Sequence, residues 1–220
     1  MERRWPKTTP DPFRRFACYK VQRMARDTTL SKGSSNPSLV RRLVDGSPNA
    51  WRDLVELYGP LVDRWCRAAG VPHDSVADIA QETFFAAFRG MHRFDPSRPG
   101  ATFRGWLWSV ARNRIRDHFR QRRPDAAAGG STAAEKLGEL AAPAPDEEPT
   151  DATDIARLTQ RAMRRIEPEF QPQTWQVFLD AVVLGHPTHV VAERYALSPA
   201  AVRQVKSRIL RRLRQELGDA

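Results

Sequence analysis

Cysteine is nearly absent: Cys18 and Cys66 are the only two in 220 residues, far apart and without a Cys-x-x-Cys spacing. That excludes a disulfide framework and a thiolate zinc site, and it points to a reducing cytoplasm. No apolar run approaches the ~20 residues that cross a bilayer, and the basic N-terminus lacks the apolar core of a secretory signal, so neither insertion nor export is expected. No segment alternates apolar and polar residues with period two, so no sheet is expected. Clustered carboxylates, or a nucleophile beside a base, are also missing. No catalytic residue, metal or cofactor is therefore expected, and the chain reads as a non-enzyme. His186 and His189 sit three apart but have no third ligand nearby, which makes them surface or capping residues rather than a metal pair.

What is there is arginine. The chain carries 36 Lys and Arg against 26 Asp and Glu, a formal charge of +10, and nearly all of the basic residues are Arg. A GC-rich genome writes Arg where Lys would serve. Here, however, the arginines gather on particular helices, which favours phosphate recognition through their bidentate geometry. With 40% hydrophobic and 28% charged residues, the chain can bury one medium core or two small ones.

The pattern is all-α, organised as two small helical domains on a flexible linker. Residues 1–30 read as a basic, Pro- and Arg-containing disordered tail, with Met24 standing as an alternative start. Over 31–124, Leu39, Leu43, Trp51, Leu54, Val55, Tyr58, Leu61, Val62 and Trp65 recur at three- and four-residue steps, and Ser47-Pro48 reads as a helix cap followed by proline at the first helical position. Gly70-Val71-Pro72 breaks the run. Asp74 or Ser75 is expected to cap the next helix, whose apolar side is Ile79, Thr83, Phe84, Ala87, Phe88 and Met91. Residues 125–152, rich in Ala, Pro, Gly and acid, have too few large apolar groups to offset ordering entropy and read as a linker, with a short helical piece around 133–140. Helical periodicity returns over 153–220.

Three surfaces stand out. On the helix after Asp74, Asp78, Gln81, Glu82, Phe85 and Arg89 share one stripe, and an exposed Phe among acids and amides suits a basic partner helix. From Thr102 onward, Leu107, Trp108, Ala111, Ile115 and Phe119 lie inward while Arg112, Asn113, Arg116 and Arg120 point out, with Trp106 the tryptophan expected at a surface. Arginine and asparagine beside aromatic rings suit unpaired or melting DNA better than intact duplex. Finally, the segment from His189 to Arg208 fits a helix-turn-helix. Leu197 plugs the turn, Ser198 caps a helix begun by Pro199, and Val202, Val205, Ile209, Leu213 and Leu217 form the inner stripe. Ala201, Arg203, Gln204, Ser207, Arg208 and Arg211 are left outside, able to read a major groove. A helical hairpin with a solvated basic face explains neither the cap-proline start nor the Arg, Gln and Ser near the helix N-terminus.

Asp78-Ile79-Ala80-Gln81-Glu82-Thr83-Phe84, then Phe94-Asp95-Pro96 with Phe103-Arg104-Gly105-Trp106-Leu107, and Ala111-Arg112-Asn113 before Asp117-His118-Phe119-Arg120 resemble region two of bacterial sigma factors of the extracytoplasmic-function type. The C-terminal helices resemble that family's region four. The likeness covers roughly residues 37–123 and 153–217. It implies an alternative sigma factor in which Asp78, Gln81, Glu82 and Phe85 bind the clamp coiled coil of the core RNA polymerase's largest subunit. It also implies that the loop from Phe94 and Asp95 to Phe103, with Arg104, Trp106, Arg112, Asn113, Arg116 and Arg120, engages the minus-ten element. Ser198, Pro199, Ala201, Arg203, Gln204, Ser207, Arg208 and Arg211 would then face the minus-thirty-five element, and an anti-sigma protein is admitted as a further partner. Two positions depart from the family pattern: Ala196 stands where the turn often holds glycine, and Val190 where the preceding helix commonly starts with an acid. A linker of this length spans about 90 Å extended and about 30 Å relaxed, against on the order of 70 Å for two turns of duplex. It can bridge two promoter elements only when stretched. The rival reading, a helix-turn-helix regulator acting on duplex operators without polymerase, leaves the acidic and aromatic-basic helices unexplained.

Overall fold

The computed structural model describes residues 38–95, 97–98, 101–122 and 148–218. The N-terminal tail, Pro96 and the linker up to residue 147, with its expected helical piece, lie outside the described residues. Eight α-helices and no strand occur among those described. The residues divide into two compact units, one of 38–150 with 217–220 and one of 151–216.

In the first unit, α1 (Leu39–Val44) starts at Ser38, whose Oγ accepts the Arg41 N–H. Helix α2 (Pro48–Ala68) follows Ser47 with proline in its first turn, as expected, although the Ser47 side chain makes no capping bond. It ends at Gly70, whose φ of 78° is left-handed and open to glycine at little cost. Helix α3 (His73–Gly90) begins earlier than the sequence suggested: Pro72, with φ −55°, is the capping residue, and neither Asp74 nor Ser75 caps. Proline's fixed φ already aims the chain into a helix, which leaves Asp74 in the first turn to complement the helix dipole. After a 3₁₀ turn (Met91–Arg93), α4 (Phe103–Gln121) starts at Thr102, whose side chain accepts the Gly105 N–H.

The core of this unit is Leu54, Leu57, Leu61, Val62 and Trp65 of α2, Val76, Ile79 and Ala87 of α3, and Leu107, Trp108, Ala111 and Ile115 of α4. Each large side chain buried this way contributes about 1.5–3 kcal/mol. Trp65 and Trp108 meet edge-on at 5.3 Å. Thr83, also wholly buried, satisfies its hydroxyl by donating to the Ile79 carbonyl at 2.8 Å. Two residues assigned to the inside are not there: Val55 is 45% and Phe88 55% exposed. Phe88 sits at the edge of the α2–α3 contact, its ring meeting Trp51 at 4.9 Å and otherwise facing solvent.

In the second unit, α5 (Ala152–Ile166) opens with a reciprocal capping box between Asp151 and Asp154. A 3₁₀ turn (Glu167–Glu169), α6 (Pro172–Phe178) and a π turn (Leu179–Val183) follow. Then come α7 (Thr188–Arg194) and α8 (Pro199–Glu216). Leu158, Ala162 and Ile166 pack with Trp175, Phe178, Val182, Val191, Ala192, Val202, Ile209 and Leu213. The π turn turns Asp180 inward, where its carboxylate accepts from the Arg194 guanidinium and from Tyr195 Oη at 3.1 Å. The end of α7 is thereby tied to the π turn that follows α6.

Candidate nucleic-acid and partner interfaces

Asp78, Gln81, Glu82, Phe85 and Arg89 are all exposed on α3, Phe85 at 60%, so the stripe expected from helical spacing is a surface. The Arg89 guanidinium lies 5.8 Å from the Phe85 ring centroid. Beside the stripe runs an open groove of about 490 Å³ between α2 and α3, lined by Val55, Gly59, Pro60, Asp63, Ala77, Ala80, Gln81 and Phe84. Gln81 belongs to both features. The groove explains why Val55 is not in the core, and sequence periodicity misses it because a solvent-lined apolar groove and a core stripe have the same helical spacing.

At the start of α4 three rings form a cluster. Phe94, Phe103 and Trp106 have centroids 5.5 Å apart in every pair, and Phe103 also meets Tyr58 at 5.3 Å. Phe103 is 0% exposed and is the floor of this cluster. It was expected among the DNA-contacting residues, and that expectation is corrected: packed from below by Tyr58, it offers no face to a base. Phe94 and Trp106 are half-buried and present the accessible ring surface. Asp95 folds the loop back on itself, since its Oδ1 accepts the Ser97 N–H at 2.9 Å and the Ser97 hydroxyl at 2.6 Å. Those bonds hold its carboxyl below the usual range, so it is ionised at neutral pH.

Along α4, Asn113, Arg116 and Arg120 are exposed and Arg112 is half-buried. Arg120 pairs with Asp117 of the same helix at 2.8 Å. Arg104 is engaged from farther away: its Nε lies 2.9 Å from Glu148 Oε1, and both side chains are mostly buried. Thr150, two residues on, accepts the Trp65 Nε1–H at 2.9 Å. The end of the linker therefore lies across the same unit that carries the aromatic cluster, a contact between positions too distant for local pattern to reveal.

In the second unit, Ser198 Oγ accepts the Ala201 N–H at 3.1 Å, the cap read from sequence. Ser198, Pro199, Arg203, Gln204 and Arg208 are exposed, while Ala201, Ser207 and Arg211 are half-buried on the flank. Ala196 has a φ of 51°, the only non-glycine residue described with positive φ, and the Leu197 N–H closes the turn on the Ala192 carbonyl at 2.8 Å. Behind the exposed face, Arg212 bonds both carboxylate oxygens of Glu169, at 2.7 and 2.6 Å, and Glu216 at 2.9 Å. Burial alone would drive the Arg212 guanidinium's pKa down, but the two carboxylates more than offset that and hold it fully charged.

An exposed acidic stripe, an aromatic-basic face and a capped helix-turn-helix thus occur together on an all-helical frame. The model of sigma-70 region 2 matches residues 54–124, which take in the stripe and the ring cluster. The RNA polymerase sigma factor CnrH of Cupriavidus metallidurans is 35% identical over 126 residues, covering 56% of this chain and 63% of that one. NccH of Alcaligenes xylosoxydans xylosoxydans is 35% identical over 94 residues, 42% of this chain and 49% of its own length. The ECF RNA polymerase sigma factor SigD of Mycobacterium bovis is 27% identical over 194 residues, 84% of this chain and 85% of that one. A structure of CnrH in complex with the cytosolic domain of CnrY aligns at a TM-score of 0.34 and 24% identity, covering 80% of this chain and 92% of that one. Residues 54–124 thus match sigma-70 region 2, and the chain is similar over longer stretches to sigma factors, among them one of the extracytoplasmic-function type. Its matches span less than two thirds of the lengths of CnrH and NccH. No helix among the described residues is long and apolar enough to cross a membrane.

Proposed function

We propose that this chain is an alternative sigma factor: it binds core RNA polymerase, brings it to particular promoters and assists in opening them, the polymerase carrying the chemistry. The observation that carries the reading is that one small unit bears both the exposed acidic stripe with Phe85, bordered by an apolar groove, and the half-exposed Phe94–Trp106 ring surface flanked by Arg and Asn. Asp78, Gln81, Glu82 and Phe85 then meet the clamp coiled coil of the polymerase's largest subunit. Phe94 and Trp106 receive an unstacked minus-ten base, while Arg104, Arg112, Asn113, Arg116 and Arg120 hold the surrounding strand. The exposed side of α8, from Ser198 to Arg211, reads the minus-thirty-five duplex. An anti-sigma partner would compete for the stripe and its groove.

The test is run-off transcription with core polymerase on genomic fragments, mapping starts with and without the protein. New start sites that appear only with it, and a several-fold loss of core binding in Glu82→Lys through like-charge repulsion, support the reading. Duplex binding that needs no polymerase, with no new start sites, favours an operator-binding regulator instead.

A further inference from the structure

The arginines of α8 are not equivalent. Glu169, in the 3₁₀ turn after α5, takes Arg212 in a two-pronged ion pair. The next residue, Phe170, sits under Arg208, one helical turn earlier on α8, with the guanidinium 5.4 Å from its ring centroid. Phe170 is itself fixed, lying near-parallel to the buried Trp175 at 6.0 Å and 24°. Two consecutive residues thus brace two arginines an (i, i+4) step apart, by opposite means. A carboxylate cancels the charge it holds, whereas an aromatic face orients a guanidinium and leaves its charge and its N–H donors available. Among the described residues no carboxylate pairs with Arg208, which stays exposed on the side of α8 away from the core.

We propose that Phe170 is a positioning residue for DNA binding, holding the Arg208 guanidinium in place over the duplex backbone without neutralising it. This rests on the reading of α8 as the duplex-facing helix. The ring restricts a long side chain before DNA arrives, so less rotamer freedom is lost on contact. It also accounts for Phe at a half-exposed position beside a glutamate already committed elsewhere.

The experiment is a double-variant cycle on the full chain, with affinity for a short mixed-sequence duplex followed by fluorescence anisotropy at low salt. Phe170→Leu keeps bulk but removes the ring's charge distribution, and should weaken binding about two- to fivefold. Phe170→Tyr should bind as the parent does. In an Arg208→Gln background, Phe170→Leu should cost nothing further, a result that a merely structural role cannot produce, because loosening the fold weakens binding in both backgrounds equally. Equal losses in the two backgrounds, or no loss in either, overturn the proposal. If Arg208→Gln is silent while Arg203→Gln weakens binding, Phe170 has no arginine contact to position and the inference fails while the reading of α8 stands. If both are silent, the reading of α8 fails with it.

Discussion

Arg104 and Glu148, forty-four positions apart, are joined by an ion pair of 2.9 Å on the unit that carries the aromatic cluster. A carboxylate on that guanidinium occupies the place a phosphate oxygen would take. Under the proposed role of Arg104, strand binding displaces it. Glu148→Gln should therefore raise the full chain's affinity for a single-stranded oligonucleotide by about two- to fivefold, the range expected of a partly screened pair. The same substitution should have no effect once Arg104→Gln is present. Anisotropy titrations of the four proteins check this, and unchanged binding by Glu148→Gln alone contradicts it.

Ala196 holds a backbone angle that glycine adopts freely and alanine does not. Ala196→Gly should relieve that strain and stabilise the protein by up to about 1 kcal/mol, although the extra freedom of glycine in the unfolded chain works against it. Thermal unfolding gives the sign directly. A lowered midpoint would mean the turn relaxes in solution to an ordinary helical end.

How much of this was legible beforehand follows from the range of the interactions. The helices, the Ser47 and Ser198 starts, the Gly70 break and the exposed stripe from Asp78 to Phe85 rest on spacing within a turn or two, and sequence carries that. Phe103 was misplaced because its motif sits beside a loop, while its burial depends on Tyr58, 45 positions earlier. Val55 and Phe88 were misplaced for a related reason: amphipathic spacing shows that a face is apolar, not that a neighbour covers all of it. The Arg104–Glu148 and Arg208–Phe170 contacts join segments with no common pattern. Ala196 lay between, since the departure from glycine was visible but its angle was not.

The two proposed DNA faces should separate by the form of DNA they need. On a fully duplex promoter, holoenzyme carrying Asn113→Ala or Arg203→Ala should each transcribe poorly, the second losing about 1–3 kcal/mol for a good base contact. On a template already melted at the minus-ten element, Asn113→Ala should recover more than Arg203→Ala. Equal recovery, or recovery of Arg203→Ala alone, would reverse the division of labour.

Cys66 is fully buried on α2, and burial, aided by the charge of Asp63, pushes its thiol up to about 12. Thiolate is the reactive form, so at neutral pH the side chain stays protonated and unreactive. In a Cys18→Ser background, a thiol reagent should label the folded protein far more slowly than the denatured one. Fast labelling of the native state would mean that α2 opens readily.

The π turn at Leu179–Val183 is, in counting terms, one residue too many for a regular helix. One residue of α-helix corresponds to about 100° of rotation. Shortening this segment by a single position would therefore swing Asp180 off the Arg194 and Tyr195 groups it now holds, and re-aim everything threaded after it. The compass bearing of α8 depends on the length of a segment outside the proposed DNA face, so under the proposed function an insertion or deletion there would alter promoter choice without changing the identity of any residue on that face.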